Sequence, residues 1–316
     1  MKKTSRKNEK KKDSPKAAKE NKDKHPELMI GGQAVIEGVM MRTKDRYAVA
    51  VRNQKGKIIV KKDKFHSVTA NSKLWGLPFI RGMIMLFETL ILGVKSLNFS
   101  ASIDFENKIP SKKDLEKGLI FTMIVSFVFA IALFKFLPLL VATFATRITG
   151  DNNILFNLVD GLTKLAILIA YLLAISLMPD VKRLFQYHGA EHKSVACYEA
   201  HKKLTVANVK HHKKEHPRCG TSFIIFVIVL SILFYIFIPM NTGFLGKLGL
   251  RVLLLPAIAG ISYELIRLAG KYDNMITKTL VFPGLLVQRL TTKEPDGKQI
   301  EVAIESLKAT IGRRDI

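Results

Sequence analysis

Cysteine is scarce in this chain of 316 residues, which contains only Cys197 and Cys219. Two cysteines are too few to hold a secreted fold together. The composition therefore favours reduced thiols, which near histidines more often bind metal than form a disulfide. Carboxylates are also few, with 26 Asp and Glu against 50 Lys and Arg and a formal net charge of +24. This excess does not by itself indicate a nucleic-acid enzyme, because membrane proteins carry basic residues in their cytoplasmic segments.

Apolar runs are absent from residues 1–27, where eleven Lys and Arg stand against five Asp and Glu. Such a segment cannot bury a core, so a disordered basic tail without a cleavable signal peptide is predicted. In residues 28–73, two Val/Ile-rich runs flank Asn53 to Gly56, the pattern of a β-hairpin in a small cytosolic β unit. The glycines of this unit lack the spacing of a phosphate-binding loop and are interpreted as turn residues, namely Gly31, Gly32 and Gly38.

Residues 74–117 are predicted to form an amphipathic helix followed by a linker. Arg81, Glu88 and Lys95 recur every seven residues, so they share one stripe of a helix whose other faces are apolar. A single membrane crossing here would place the basic tail and the basic C-terminal segment on opposite sides. The pattern therefore favours an interfacial or re-entrant helix over a transmembrane one.

Residues 118–268 contain four apolar stretches separated by polar connections and are predicted to be the transmembrane domain. The connection 179–222 and both termini have an excess of Lys and Arg, whereas the other connections are nearly neutral. The positive-inside rule places that connection, both termini and the C-terminal segment 269–316 in the cytoplasm. The predicted fold class is a membrane α-helical protein with about four transmembrane helices, an interfacial or re-entrant helix and a small N-terminal cytosolic β unit. The predicted spans are residues 118–141, 158–178, 223–240 and 248–268.

Six of the eight histidines and both cysteines fall within the connection 179–222. His188 and His192 are four residues apart, so on a helix they project from one face and could ligate one cation. Glu191 lies beside them in the pattern H-x-x-E-H, the inverted zinc-peptidase pattern, in which the glutamate is the catalytic base. A pattern of five residues recurs by chance in many chains.

His216 and Cys219, three residues apart, offer the second half of a Cys/His metal site. Together with His188 and His192 they would fill all four positions of a zinc ion, which is typical of a structural metal. If only three of the four bind, one position stays open and Glu191 becomes a candidate base.

Additional ligand candidates are Cys197, Glu199 and Glu264. Cys197 fits a small buried residue equally well, and Glu264 has Arg267 three residues later as a local pairing partner. The remaining histidines of the connection lie among lysines and are interpreted as a solvated or headgroup-facing patch, namely His201, His211 and His212.

Six stretches of the chain are long enough to be specific. They read GGQAVIEGVMMR, WGLPFIRGM, FQYHGAEHKSVACYE, LTVANV, HPRCGTSF and FPGLLVQRLTTKEPDGKQIEVAIESLK. Together they resemble the bacterial YqhQ-like membrane proteins, and the resemblance covers nearly everything after the basic tail. That family is a domain of unknown function commonly labelled as predicted metal-dependent enzymes. By resemblance alone, the label implies a functional set of His188, Glu191, His192, His216 and Cys219.

Two hypotheses of function follow. The first is a multi-pass protein of the bacterial inner membrane that binds a divalent metal, zinc by donor type, at its cytoplasmic face and acts as a hydrolase on an unknown substrate. The second is a non-enzymatic accessory factor for membrane-protein insertion, whose basic tail and cytosolic face contact a ribosome, a translocase or anionic lipid. Transport is less favoured, because the spans contain few polar residues beyond Lys164, Ser176 and Glu264.

Overall fold

The computed structural model describes residues 30–70, 74–104, 112–150, 152–272 and 274–312 of the chain. Most of these residues are helical, and a small antiparallel sheet lies at the N-terminal end of the described chain. The predicted combination of helices with a small N-terminal sheet is thereby confirmed. The predicted basic tail, residues 1–27, lies outside the described residues.

Four antiparallel strands form the sheet in sequential order. They are β1 Gly31–Val35, β2 Gly38–Arg42, β3 Arg46–Arg52 and β4 Ile58–Lys64. The turn between β3 and β4 is closed by the Gly56 N–H, which donates to the Asn53 carbonyl at 2.9 Å. Gly56 has a φ of 80°, in the left-handed region that glycine adopts most easily. The predicted hairpin is confirmed.

Gly31 and Gly32 lie inside β1, so their interpretation as turn residues is wrong, while Gly38 directly follows the turn between β1 and β2. A Cβ added at Gly32 would lie 2.6 Å from the Met40 carbonyl oxygen, whereas one at Gly31 would meet no atom within 4 Å. Glycine at position 32 therefore allows the Met40 carbonyl to approach closely, and it is not there to turn the chain.

Eleven α-helices and one π-helical segment follow the sheet in the part of the chain that the structure describes. The π-helical segment, Ala132–Phe136, continues α2 into α3 without a break in the chain. The helices are α1 Ile80–Asp104, α2 Lys112–Ile131, α3 Leu137–Thr149, α4 Asn153–Ser176, α5 Pro179–Glu199, α6 Val206–Lys210, α7 Gly220–Tyr235, α8 Phe244–Leu253, α9 Leu255–Lys271, α10 Met275–Thr291 and α11 Gly297–Ile311.

Two helical stretches are long and apolar enough to cross a membrane, Phe121–Ile148 and Asn153–Ser176. A third is possible if α8 and α9, which meet at an angle of 41°, form one span. Helix α7 is apolar but has only 16 residues, fewer than the roughly 20 that a bilayer requires. Two to three candidate spans are therefore found, and the predicted number of four is not confirmed.

The predicted connection 179–222 is mostly helical. Helix α5 begins with Pro179 and has Asp180 in its first turn, both favourable at a helix N-terminus. It packs against β1 and α11, and α11 packs against β2 and β3. These elements share one buried core, to which α5 contributes Tyr187, Ala190, Val195 and Cys197. One side of α5 is thereby anchored, which fixes the direction of its other side chains.

Candidate metal centre

Three of the predicted ligands come together at one place. His188 and His192 lie one turn apart on α5, and Cys219 is the N-cap residue of α7. One ligand atom of each lies within 4.8 Å of the other two, and Cys219 Sγ lies 3.4 Å from His188 Nε2. Two ligand atoms on one tetrahedral zinc ion are about 3.3–3.8 Å apart. We call these residues the His/Cys trio; one ion could bind them after small shifts.

Backbone carbonyls orient both imidazoles of the trio. His188 Nδ1 lies 2.9 Å from the Thr291 carbonyl oxygen, and His192 Nδ1 lies 2.5 Å from that of Lys214. Because a carbonyl oxygen can only accept, Nδ1 carries the proton in both rings, which leaves both Nε2 lone pairs for a cation. Histidine ligands of metals are commonly held in this way. Two imidazoles and a thiol therefore fit a borderline-soft divalent ion such as zinc.

Cys219 is positioned by the start of α7. Its Sγ accepts a hydrogen bond from the Thr221 N–H at 3.5 Å and lies 3.4 Å from Thr221 Oγ1. Thr221 Oγ1 in turn lies 3.3 Å from the hydroxyl oxygen of Thr291. Thr291 ends α10 and also holds His188 through its carbonyl, so one residue connects the thiol and an imidazole.

Glu191 lies against the trio. Its Oε2 is 4.0 Å from Nε2 of both His188 and His192. The carboxyl is buried, and burial raises its pKa, while the nearby rings of His188 and His216 act in the opposite direction. Gly32 leaves room for it, because a Cβ there would lie 2.9 Å from Glu191 Oε1. A buried carboxyl with a raised pKa is suited to proton transfer beside the trio.

His216 lies next to the trio with both ring nitrogens engaged elsewhere. Its ring centroid is 5.7 Å from that of His192. The Arg218 N–H donates to His216 Nδ1 at 3.3 Å, so Nε2 carries the proton and donates to Glu199 at 3.2 Å. Binding an ion would break one of these hydrogen bonds. The role of His216 as a fourth ligand stays a prediction.

Glu199 holds side chains that lie beside the trio. It accepts hydrogen bonds from His216 and Arg218. Burial alone would raise its pKa, but the hydrogen bond from His216 and the Arg218 guanidinium together hold it below its usual value. The carboxylate is therefore kept ionised and orients the His216 ring.

Cys197 and Glu264 have surroundings of a different kind. Cys197 is fully buried in the core of the sheet, α5 and α11, and burial raises the pKa of its thiol. Glu264 forms a two-pronged pair with Arg81 of α1, with Nε and Nη2 donating at 2.7 and 2.5 Å. Arg267 is farther from Glu264, at 3.9 Å. The ligand roles of Cys197 and Glu264 stay predictions that the geometry of the trio does not support.

Sequence reasoning missed the groups that hold the site in place. Gln288 of α10 is fully buried, accepts the His216 N–H at 2.9 Å and donates to the His216 carbonyl at 2.8 Å. A lone amide in the apolar stretch FPGLLVQRL was a usable signal, because a buried amide requires partners. The carbonyls of Thr291 and Lys214 left no signal, since every residue has a carbonyl.

Two comparisons with known proteins point to the same family over most of the chain. Residues 77–313 match a family described as "Protein of unknown function (DUF1385)". The chain is also 37% identical over 289 residues to "Uncharacterized protein YqhQ" of Bacillus subtilis (strain 168), an alignment that covers 87% of this chain and 90% of the relative. No solved structure matches the chain. The matched range includes the trio and Glu191.

Proposed function

The chain belongs to the YqhQ-like DUF1385 family, and we propose that it is a multi-pass membrane protein with a zinc-dependent hydrolytic site. In this proposal His188, His192 and Cys219 hold the ion and Glu191 is the catalytic base. The observation that carries it is the fixed tautomer of the two imidazoles, whose Nδ1 atoms donate to carbonyls beside a thiol and a buried carboxyl.

The donor set favours catalysis over a purely structural role. When bound, a zinc ion supplies Lewis-acid chemistry, which makes water more acidic and polarises a carbonyl or phosphoryl group. Catalytic zinc sites have three protein ligands, whereas structural sites have four. Glu191 takes a proton from the attacking water and passes it to the leaving group. The upward shift of its pKa suits this role, because it makes the carboxylate a stronger base than an exposed one.

The outer surfaces of the helices support a membrane location. Phe121, Phe127 and Phe129 have exposed fractions of 70%, 66% and 59% on the first candidate span. Apolar side chains exposed in this number are unfavourable in water and favourable in lipid. The trio lies at the middle of α5, the helix that follows α4, and at the N-terminus of α7. The excess of Lys and Arg in the connecting segment favours the cytoplasmic side of an inner membrane.

Metal analysis of the detergent-purified full-length chain tests the ligand set. We expect about one zinc equivalent in the wild type and a loss of most of it in a His188→Ala/His192→Ala variant. His211→Ala is the matched control, because His211 is an exposed histidine of the same connection. Wild-type metal content in the double variant would refute the metal site.

Glu191→Gln separates catalysis from structure. The amide keeps the shape of the side chain but cannot act as a base, so the variant should retain metal and fail to complement a deletion of the gene. If it retained both metal and complementation, the ion would be structural. The accessory-factor hypothesis, with its ribosome or translocase contacts, would then replace hydrolysis.

A further inference from the structure

Four charged side chains and one tyrosine are also buried between the apolar helices, away from the trio. They come from separate segments of the chain, and each residue is at most 8% exposed. We call the set the charge cluster. It consists of Lys135 in the π-helical segment, Asp160 and Lys164 on α4, Tyr235 at the end of α7 and Arg251 on α8.

Asp160 is the carboxylate of the charge cluster. Its Oδ1 accepts a hydrogen bond from Arg251 Nη1 at 2.5 Å, and its Oδ2 accepts one from Lys164 Nζ. Arg251 Nη2 donates to Asn157 Oδ1 at 3.0 Å. Both oxygens of Asp160 thus have a cationic partner already, and one carboxylate can neutralise only one positive charge.

Tyr235 is the point on which the cations converge. Its ring centroid lies 4.8 Å from Lys164 Nζ, 4.8 Å from Arg251 Cζ and 5.4 Å from Lys135 Nζ. Lys135 Nζ donates to the Tyr235 hydroxyl at 2.9 Å, and that hydroxyl donates to the Arg251 carbonyl at 3.1 Å. Three cationic side chains and one carboxylate therefore surround a single buried ring, with a formal charge of +2.

Two further observations indicate that the charge cluster is a binding site. The Arg251 side chain is only 2% exposed, and its Nε has no hydrogen-bond acceptor among the described residues. The helix that carries Lys135 changes to π geometry over Ala132–Phe136, a change often found at functional sites. An anion would satisfy the donor and reduce the excess positive charge, which is otherwise unfavourable in an apolar environment.

We propose that the charge cluster binds one small monovalent anion of the halide class, close to Tyr235, Lys135 and Arg251. A halide can lose its water and fit between packed helices. A multiply charged oxyanion is harder to dehydrate and is repelled more strongly by Asp160. Lys135 lies near the middle of the apolar stretch Phe121–Ile148, whereas lipid headgroups lie outside the hydrocarbon core, so the anion comes from solution.

Binding of radioactive chloride to the detergent-purified full-length chain tests the proposal directly. We expect saturable binding of about one equivalent, with competition by bromide and none by gluconate, a carboxylate much larger than a halide. The midpoint of thermal unfolding should be about 2–5 °C higher in chloride than in gluconate at equal ionic strength, because a ligand that binds only the folded state stabilises it.

Two lysine variants locate the site. Lys135→Met removes a cation of the charge cluster and should abolish both chloride binding and the difference between chloride and gluconate. Lys271→Met is the matched control, because Lys271 also lies over a tyrosine ring, that of Tyr272 at 5.3 Å, but both residues are exposed. This control should behave as the wild type. Chloride binding that survives Lys135→Met would overturn the assignment to this cluster.

If Lys135→Met does not fold, measurements on the wild type alone still test the proposal. Less than about a tenth of an equivalent of bound chloride, together with equal unfolding midpoints in chloride and gluconate, would overturn it. Tyr235→Phe gives a milder second variant, because it keeps the ring and removes only the hydroxyl that Lys135 contacts. It should weaken chloride binding about tenfold, and unchanged affinity would count against a site at this hydroxyl.

Discussion

The His/Cys trio and the charge cluster are buried polar regions at opposite ends of α7. Cys219 is the N-cap of this helix and Tyr235 is its last residue, and 16 helical residues span about 24 Å. In the trio, backbone carbonyls orient two imidazoles beside a thiol. In the charge cluster, ionisable side chains are hydrogen-bonded to one another.

This difference decides what a substitution removes. Deleting an imidazole or the thiol of the trio removes a metal ligand. Deleting Asp160 leaves Arg251 and Lys164 without their carboxylate in an apolar environment, which is strongly unfavourable. Substitutions in the trio should therefore affect metal binding with little change in stability, whereas loss of the carboxylate of the charge cluster should lower stability.

The largest effect is expected from Asp160→Asn. The variant should lose about 3–5 kcal/mol of unfolding free energy, because the buried cations lose their neutralising carboxylate. Chemical unfolding of the purified protein in detergent measures the loss. Asp180→Asn, at an exposed position in the first turn of α5, is the matched control and should change little. A stability within about 1 kcal/mol of the wild type would remove the distinction between the two regions.

The next largest effect distinguishes the roles of Cys219 and Cys197. Cys219→Ser should lower zinc affinity at least tenfold and leave the unfolding free energy nearly unchanged, because a hydroxyl can still cap α7 but is a poor zinc ligand. Cys197→Ser should do the reverse. It keeps the metal and destabilises the chain by about 1–3 kcal/mol, because a hydroxyl enters a packed core. Metal titration and thermal unfolding of both variants check the pair, and equal zinc affinities would remove Cys219 from the ligand set.

A smaller effect is expected from Gly32→Ala, which displaces Glu191 without touching a ligand. The new Cβ would lie 2.6 Å from the Met40 carbonyl and 2.9 Å from Glu191 Oε1, so the carboxyl or the strand must shift. We expect a loss of about 1–2 kcal/mol of stability and impaired complementation, with metal retained. Gly31→Ala, the adjacent glycine with open space around it, should be silent in the same assays. If both variants behave alike, the Gly32–Glu191 contact has no role.

The smallest effect is expected from Arg81→Lys, at the pair that joins α1 to α9. Lysine keeps the charge but cannot donate two parallel hydrogen bonds to Glu264. Because the pair is partly exposed, we expect a loss of less than about 1 kcal/mol in unfolding free energy, with unchanged metal and chloride binding. A large loss would mean that charge pairs outside the charge cluster also determine stability.

The sequence predicted the trio better than the charge cluster for a physical reason. His188, Glu191 and His192 are neighbours on one helix, so the helical period alone brings them to one face. Lys135, Asp160 and Arg251 belong to separate helical segments, and their spacing along the chain does not show that they are neighbours. Only the packing of the helices brings them together, and no local pattern encodes it.

The same limit applies to the membrane spans. The hairpin and the apolar helices follow local periodicity and turn chemistry, and both were predicted. The predicted span 248–268 is instead divided between α8 and α9 at Leu254. Pro256 lies in the first turn of α9, and a proline removes one backbone donor and disfavours helical geometry in the residue before it. Arg81 was assigned to a stripe on α1, but its partner Glu264 lies 183 residues away.

The hydrogen bond from His188 to the Thr291 carbonyl has a consequence for biosynthesis. All three ligands of the trio have been synthesised once residue 219 is added, but the acceptor that fixes the first imidazole is made much later, at the end of α10. A nascent chain that stops before residue 291 has the donors without this orientation. Metal capture would therefore mark chains whose helix α10 has been made and docked, and truncated chains would remain poor competitors for the ion.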